Sequence, residues 1–285
     1  MKNNLPIGIF DSGVGGLTVY RALHRRLPDE RFLYLGDTAR VPYGTKSLST
    51  VERYGIENAR FLSAQGIKML VVACNTASAL ALPAIERAAG VPTVGVIESG
   101  ARAAVEAAHA KIGVIATEAT VRSGAYRRAI KKLAPQSKVI EQACPLFVSL
   151  AEEGYADSDA SRLVAQDYLS GLRDEETETL VLGCTHYPVL RSVISEVVGE
   201  GVRLIDSGEA VATDVAAALA ERGLQRAPAP QKGARPRQLC DDLDHFYVTD
   251  AAERFSRIAE MFLGRAPRRL EAVEVWGHDE LNVRR

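Results

Sequence analysis

Two short apolar runs that each end at a cysteine constrain the fold more than any other feature of this sequence. The first run occupies residues 69–73 and is followed by Cys74, and the second occupies residues 180–183 and is followed by Cys184. A helix-like segment follows each cysteine. Continuous, partly β-branched apolar runs are typical of strands buried on both faces of a parallel sheet. Ligands of open α/β folds bind at the carboxyl ends of such strands, so the sequence predicts two thiols that face one substrate.

These two runs belong to a longer internal repeat. Residues 7–12 match residues 112–117, and residues 97–100 match residues 205–208, at an offset of roughly 105 to 110 residues. The general likeness of α/β strands explains part of this similarity, but several matches in the same order favour two related halves. We therefore predict an α/β fold with two pseudo-symmetric three-layer domains, parallel-type sheets and an active site in the cleft between them.

Composition indicates a globular protein without a polyanionic partner. The 285 residues suffice for one large or two medium domains, and 47% of them are hydrophobic and 25% charged. The net charge of −1 gives no reason to expect nucleic-acid or membrane binding. No apolar run approaches the roughly 20 residues that span a bilayer. Four irregularly spaced cysteines and the lack of a signal peptide predict a reduced, cytoplasmic protein.

A glycine-rich turn follows the first predicted strand. Asp11 and Ser12 stand at the carboxyl end of that strand, and three glycines lie within residues 13–16. Glycines let backbone N–H groups approach an anion closely at a helix start, although the spacing is neither that of a P-loop nor that of a dinucleotide-binding motif. The glycines could also serve only to make the turn tight. We favour a functional turn, because parallel strands would bring Asp11 and Ser12 beside Cys74.

The chemistry of a thiol pair indicates a reaction. A thiol has an ordinary pKa of about 8.5 and can therefore give or take a proton near neutrality. Two thiols on opposite faces of a bound carbon could remove a proton from one side and return one to the other. This inverts a stereocentre without a cofactor, provided that one sulfur starts as thiolate and the other as thiol. Asp11 beside Cys74, and His186 close to Cys184, would assist.

Other uses of these residues find less support. A metal site formed by Cys74, Cys184 and His186 is an alternative, but no Cys-x-x-Cys spacing accompanies it. Pyridoxal phosphate would need a Schiff-base lysine, for which the sequence offers no specific candidate. We therefore expect no cofactor and no metal. Cys144 and Cys240 are expected to be small buried side chains.

Five motifs in order resemble those of glutamate racemase. They are Asp-Ser-Gly-Val-Gly-Gly at 11–16, Val-Pro-Tyr-Gly at 41–44, Ala-Cys-Asn-Thr-Ala at 73–77, Gly-Cys-Thr-His-Tyr-Pro at 183–188, and a last strand and helix at 246–264. The resemblance implies a cofactor-independent two-base racemase that makes D-glutamate from L-glutamate for peptidoglycan synthesis. It also implies a homodimer. The first domain would comprise residues 1–97 and 209–285, and the second domain residues 98–208.

The resemblance also implies the roles of individual residues. Cys74 and Cys184 would be the paired acid/base thiols, Asp11 would support Cys74, and His186 and Glu152 would support Cys184. Neutral hydroxyls, amides and backbone N–H groups would hold the substrate, since extra charges would bias the thiol pKa values. The substrate-binding residues would be Asp11, Ser12, Pro42, Tyr43, Gly44, Asn75, Thr76, Thr117, Thr120, Thr185 and His186.

Departures from the family pattern and alternative functions complete the expectations. Ser99 and Ser149 stand where the pattern has proline, and Ser149 bears on the placement of Glu152. Only six residues precede Ile7, whereas activator-dependent members carry an N-terminal extension, so an activator-independent enzyme is expected. Racemisation of aspartate or another small amino acid is the first alternative. The second is a DNA gyrase-binding role, for which the basic, proline-rich residues 226–237 are the only motivation.

Overall fold

The computed structural model describes residues 2–108, 110–227 and 237–276. Within these ranges the chain forms ten strands and eleven α-helices. The strands are β1 (Ile7–Asp11), β2 (Phe32–Gly36), β3 (Met69–Val72), β4 (Thr93–Gly95), β5 (Lys111–Ala116), β6 (Lys138–Ala143), β7 (Thr179–Gly183), β8 (Arg203–Asp206), β9 (His245–Val248) and β10 (Leu270–Ala272). The helices are α1 (Leu17–Arg26), α2 (Leu48–Ala64), α3 (Asn75–Ala89), α4 (Val96–Ala107), α5 (Glu118–Ser123), α6 (Ala125–Leu133), α7 (Leu146–Glu152), α8 (Asp159–Asp174), α9 (Arg191–Val198), α10 (Ser207–Glu221) and α11 (Ala252–Leu263).

Two parallel sheets repeat one strand order. The first sheet has the order β10-β9-β2-β1-β3-β4, and the second has the order β6-β5-β7-β8. All of these strand pairs are parallel. The order β2-β1-β3-β4 in the first sheet thus recurs as β6-β5-β7-β8 in the second. The predicted α/β fold with two related halves and parallel sheets is confirmed.

Helices cover both faces of each sheet, which explains why the strands read as continuous apolar runs. Neighbouring residues of a strand point to opposite faces, and in β1 Ile9 packs in the cluster that contains α1 and α11 while Phe10 packs with α2 and α3. In the second sheet Leu182 shares a cluster with α8 and α9, whereas Val181 packs with α4 and α6. Each half therefore has three layers. One apolar cluster contains residues of both sheets and joins the halves.

The C-terminal part of the chain returns to the first sheet. Strand β9 pairs with β2, and β10 pairs with β9. Helix α10 packs against α1 and α4, and α4 packs on β7 and β8 of the second sheet. In the basic, proline-rich segment 226–237, the basis for a gyrase-binding role, residues 228–236 lie outside the described residues. Among the helices of the described part, none combines the length and the apolar character needed to cross a membrane.

Several element boundaries differ from those that the sequence indicates. The apolar pattern indicates a strand over residues 93–97, but the strand ends at Gly95 because Val96 already begins α4. The proposed domain boundary at 97/98 therefore falls in the first turn of a helix. A proline inside a helix removes one backbone hydrogen bond and usually ends or kinks the helix. Helix α3 nevertheless continues through Pro83, and its packing against α2 can offset the lost hydrogen bond. The sequence pattern indicates one helix over residues 121–133, but Gly124, in the left-handed conformation with φ of 62°, separates α5 from α6.

Candidate active site

The carboxyl ends of the central strands of the two sheets meet. Asp11 ends β1, and Cys74 follows β3 at the start of α3. In the other half Thr117 follows β5 and Cys184 follows β7. The hydroxyl of Thr185 reaches across to Asp11, with 3.5 Å between Oγ1 and Oδ1. The parallel topology of both sheets therefore gathers the chemistry-bearing residues at one junction.

A cavity of about 30 Å³ lies at this junction, and both cysteines line it. The two cysteines are only 5% and 6% exposed. Of the predicted site residues, Asp11, Thr120 and Glu152 do not line the cavity but bond to residues that do. The lining residues are Ser12, Val41, Pro42, Tyr43, Gly44, Cys74, Asn75, Thr76, Thr117, Val148, Cys184, Thr185 and His186.

Cys74 is in a setting that favours its protonated form. Its Sγ lies 3.6 Å from Oγ of Ser12. Burial, followed by the negative charge of Asp11, raises the pKa of Cys74 to about 12, and the backbone N–H of Ala77 and the Ser12 hydroxyl offset only part of this rise. The charge of Cys184 contributes to the same rise, since the two sulfurs interact. At neutral pH Cys74 is therefore a thiol in this arrangement.

A chain of polar contacts leads from Cys184 to the surface. Nδ1 of His186 lies 3.7 Å from Sγ of Cys184, and Nε2 lies 2.9 Å from Oε1 of Glu152. Burial alone would lower the pKa of His186, but its contacts with Cys184 and Glu152 raise it to about 10. His186 is therefore a cation at neutral pH. Cations beside a sulfur are typical of reactive cysteines.

The outer end of this chain is an ion pair with helix α11. Nη2 of Arg254 donates to Oε2 of Glu152 at 3.1 Å and to Oε1 of Glu153 at 2.9 Å. Burial would raise the pKa of Glu152, but the hydrogen bonds from His186 and Arg254 and their charges lower it below its ordinary value. Glu152 is therefore ionised and has one oxygen for each of its two cationic partners.

The glycine-rich turn binds an anion that belongs to the protein itself. The N–H of Gly13 donates to Oδ2 of Asp11 at 2.9 Å, and the N–H of Gly16 also stabilises this carboxylate. Burial nevertheless raises the pKa of Asp11 above its ordinary value. The sequence suggested that N–H groups of this turn approach an anion, and the anion that two of them reach is Asp11.

Gly15 in the same turn packs directly against the residues that follow Cys184. A Cβ atom at position 15 would lie 2.3 Å from Oγ1 of Thr185 and 2.5 Å from Cε1 of His186. Real Cβ atoms essentially never come this close to other heavy atoms. The absence of a side chain thus allows the turn of one half to contact the catalytic candidates of the other half.

Three threonine hydroxyls form a cluster that spans the two halves. Oγ1 of Thr76, on α3, lies 3.0 Å from Oγ1 of Thr117 and 3.3 Å from Oγ1 of Thr120. The hydroxyls of Thr117 and Thr120 are 3.0 Å apart. Thr117 also caps α5. The cluster supplies neutral groups that both donate and accept hydrogen bonds.

The side chains of two further predicted binding residues, Asn75 and Tyr43, are hydrogen-bonded to other parts of the protein. Oδ1 of Asn75 accepts a hydrogen bond from the hydroxyl of Tyr126 at 2.6 Å, whereas its Nδ2 is buried without a partner among the described residues. The hydroxyl of Tyr43 bonds to Asp37 and accepts from Asn58 at 3.0 Å. Tyr43 therefore lines the cavity with its hydroxyl already engaged elsewhere.

Several residues of this site were not found from the sequence. Val41 and Val148 line the cavity, and Val41 belongs to a motif whose other three residues were chosen. Tyr126 and Arg254 contact the site residues Asn75 and Glu152 from distant parts of the chain, and no local pattern marks them. In the described part of the chain, no group of three or more His, Cys, Asp or Glu residues could hold a metal ion.

Comparison with known proteins identifies the family. The sequence profile of the Asp/Glu/Hydantoin racemase family matches residues 7–215. Because this match covers well over half of the sequence, the chain belongs to that family. A protein named glutamate racemase from Geobacter metallireducens is 52% identical over 259 residues, which are 90% of this chain and 92% of that protein.

Solved structures agree with this assignment. Glutamate racemase from Francisella tularensis in complex with D-glutamate has a TM-score of 0.86 at 38% identity, covering 96% of this chain and 98% of that chain. Glutamate racemase from Thermus thermophilus in complex with β-chloro-D-alanine has a TM-score of 0.82 at 45% identity, covering 95% and 98% of the two chains. The resemblance to glutamate racemase that the motifs indicate is confirmed.

Proposed function

We propose that this protein is an isomerase that interconverts L- and D-glutamate without a cofactor, with Cys74 and Cys184 as its two acid/base groups. The observation that carries this proposal is one cavity lined by two cysteine sulfurs, each from the carboxyl edge of a different sheet. The substrate is inferred from the relatives, which are named glutamate racemases and match nearly the whole length of the chain.

In the proposed mechanism the two sulfurs start in different protonation states. Cys74 starts as the thiol, because burial and Asp11 raise its pKa. Cys184, beside the His186 cation, starts as the base and takes the α-proton of glutamate, so that the C–H bond breaks and its electron pair stays on the substrate. The proton of Cys74 then moves to the opposite face of that carbon. The product leaves with the protonation states of the two sulfurs exchanged, and the reverse direction restores them.

Substrate binding in this proposal relies on neutral donors. Among the described residues the cavity lining contains no lysine or arginine. Asn75 and Thr76 form the first turn of α3, where backbone N–H groups and the helix dipole favour an anion. The buried Nδ2 of Asn75 and the threonine hydroxyls add donors for a carboxylate. A fixed cation at this position would favour the thiolate form of both sulfurs, and the exchange needs one sulfur in each form.

The test is an assay with purified protein, L-glutamate and a chelator, without pyridoxal phosphate. We expect the optical signal of L-glutamate to decay to zero as D-glutamate forms. Cys74→Ser and Cys184→Ser should each abolish inversion, whereas Cys144→Ala, at a buried thiol outside the cavity lining, should retain it. Absence of inversion by the wild type would reject the activity, and full inversion by either serine variant would reject the thiol pair.

The same assay distinguishes glutamate from aspartate. We expect kcat/KM to be far larger for glutamate, and the opposite ranking would support the alternative substrate. We further propose a cytoplasmic homodimer whose D-glutamate serves peptidoglycan synthesis, on the basis of the family resemblance. Sedimentation of the purified protein tests the assembly. Depletion of the protein in its host tests the pathway, because growth should then require added D-glutamate.

A further inference from the structure

One side chain of the cavity has an unusual hydrogen-bonding state. Asn75 is only 3% exposed, and its Nδ2 has no hydrogen-bond partner within the described residues. Its Oδ1 accepts a short hydrogen bond of 2.6 Å from the hydroxyl of Tyr126. Asn75 lies at the start of α3 in the first half, and Tyr126 lies in α6 of the second half. Buried donors are nearly always paired in folded proteins. An unpaired donor on a residue that lines a cavity is therefore available to bind a ligand.

Tyr126 is held rigidly enough to determine the orientation of this amide. Its side chain is fully buried, with 0% exposure. A Cβ atom at Gly100 would lie 3.2 Å from the Tyr126 hydroxyl, and one at Gly183 would lie 3.0 Å from Cε2 of its ring. The tyrosine is thus packed against two residues without side chains, one on α4 and one at the end of β7. This packing leaves the ring little freedom to move.

We propose that Tyr126 is a positioning residue that fixes the amide of Asn75 so that its N–H groups, and not its oxygen, face the substrate. The inference rests on the proposed function and deepens it. An asparagine amide presents two donors at one end and an acceptor at the other. With the oxygen bound to Tyr126, only the donors remain for a carboxylate of the substrate. Without the hydroxyl, the amide could rotate and present an oxygen that repels this carboxylate.

Tyr126→Phe tests the inference because it removes the hydroxyl and keeps the ring. We expect KM for glutamate to rise about three- to tenfold while kcat stays within about twofold. Tyr20→Phe is the matched control: Tyr20 is also fully buried, but its hydroxyl donates to Asp244 and contacts none of the cavity residues. KM of this control should not change. A role of Tyr126 in stability alone would lower the thermal midpoint and leave KM unaltered.

A double-mutant cycle assigns the effect to Asn75. If Tyr126 acts through the amide, Tyr126→Phe should add no further rise of KM to Asn75→Ala. An unchanged KM in the single variant, or additive effects in the double variant, would overturn the inference. If the phenylalanine variant folds poorly, Gly100→Ala is the second variant: its Cβ would lie 3.2 Å from the same hydroxyl and shift it by a few tenths of an ångström, so KM should rise in the same direction by a smaller factor. Failure of the proposed function is recognised separately, because the wild type would then not racemise glutamate.

Discussion

Replacement of Gly15 by alanine is the sharpest steric test of the junction between the halves. The new methyl group would lie 2.3 Å from Oγ1 of Thr185, and 2.5 Å and 2.6 Å from Cε1 and Nδ1 of His186. Ordinary contacts of a Cβ atom begin at 3.4 Å. The threonine, the imidazole or the turn must therefore move by about 1 Å. Nδ1 is the atom of His186 that faces Cys184, so the displacement acts directly on the candidate acid/base group.

A displacement of this size should reduce catalysis more than stability. Misplacement of a catalytic group by about 1 Å can lower the rate about 100-fold. Overpacking a dense site lowers the free energy of unfolding by about 1–3 kcal/mol. We therefore expect Gly15→Ala to fold, with a thermal midpoint lower by several degrees, and to lose about two orders of magnitude in kcat/KM for glutamate. The racemase assay and a thermal unfolding scan measure the two effects on one sample.

Gly171→Ala is the matched control. Gly171 lies within α8, and a Cβ atom there would have no neighbour within 4 Å. Alanine should stabilise this helix by about 0.5–1 kcal/mol, because glycine is a poor helix former, and kcat/KM should not change. If folded Gly15→Ala protein kept the wild-type kcat/KM, then His186 and Thr185 could be displaced without any effect on catalysis. The proposed importance of their positions would then be refuted.

Two further predictions concern charged groups. Arg254→Ala should raise the pKa of Glu152, because the arginine stabilises the ionised carboxylate. Activity that depends on ionised Glu152 should then be lost at a higher pH as the solution is acidified. Since Arg254 is about half exposed, the acid limb of the kcat profile should move by less than about one pH unit. Glu153→Gln should leave that limb in place, and an unmoved limb in Arg254→Ala would contradict the prediction. Lys68→Met should lower the free energy of unfolding in urea by about 3–5 kcal/mol, because the side chains of Lys68 and Glu30 form an ion pair with 0% and 4% exposure. A loss below about 1 kcal/mol would show that Glu30 is satisfied without the lysine.

The sequence reveals the sheets and the thiols because both follow from local patterns. A strand buried on both faces must be apolar throughout, and a residue at its carboxyl end must lie at the ligand-binding edge. Cys74 and Cys184 satisfy both conditions. Contacts between the halves carry no such pattern. Tyr126 lies 51 positions from its partner Asn75, and Arg254 lies 102 positions from Glu152, so only the packed structure brings them together.

Competing preferences for strand and helix explain the errors in individual elements. Val96 and Ile97 are β-branched and extend an apolar run, so strand and helix were both compatible with them, and the packing of α4 on the second sheet decides for helix. The glycine-rich turn was expected to bring N–H groups close to an anion, and in the structure they contact the carboxylate of Asp11. The hydrogen bond from Gly13 to Asp11 within the turn could not be read from the spacing of the glycines alone.

The return of β9 to the edge of β2 has a consequence for synthesis of the chain. During translation the second sheet can be completed from the contiguous residues 111–206. Strand β2, in contrast, stays unpaired on one side until β9, which begins at His245, has been synthesised. Until then its edge carries unpaired N–H and C=O groups next to a fully formed neighbour, which is the kind of surface that recruits foreign strands. We therefore expect the edge of β2 to be a site of aggregation in the nascent polypeptide until β9 has been synthesised.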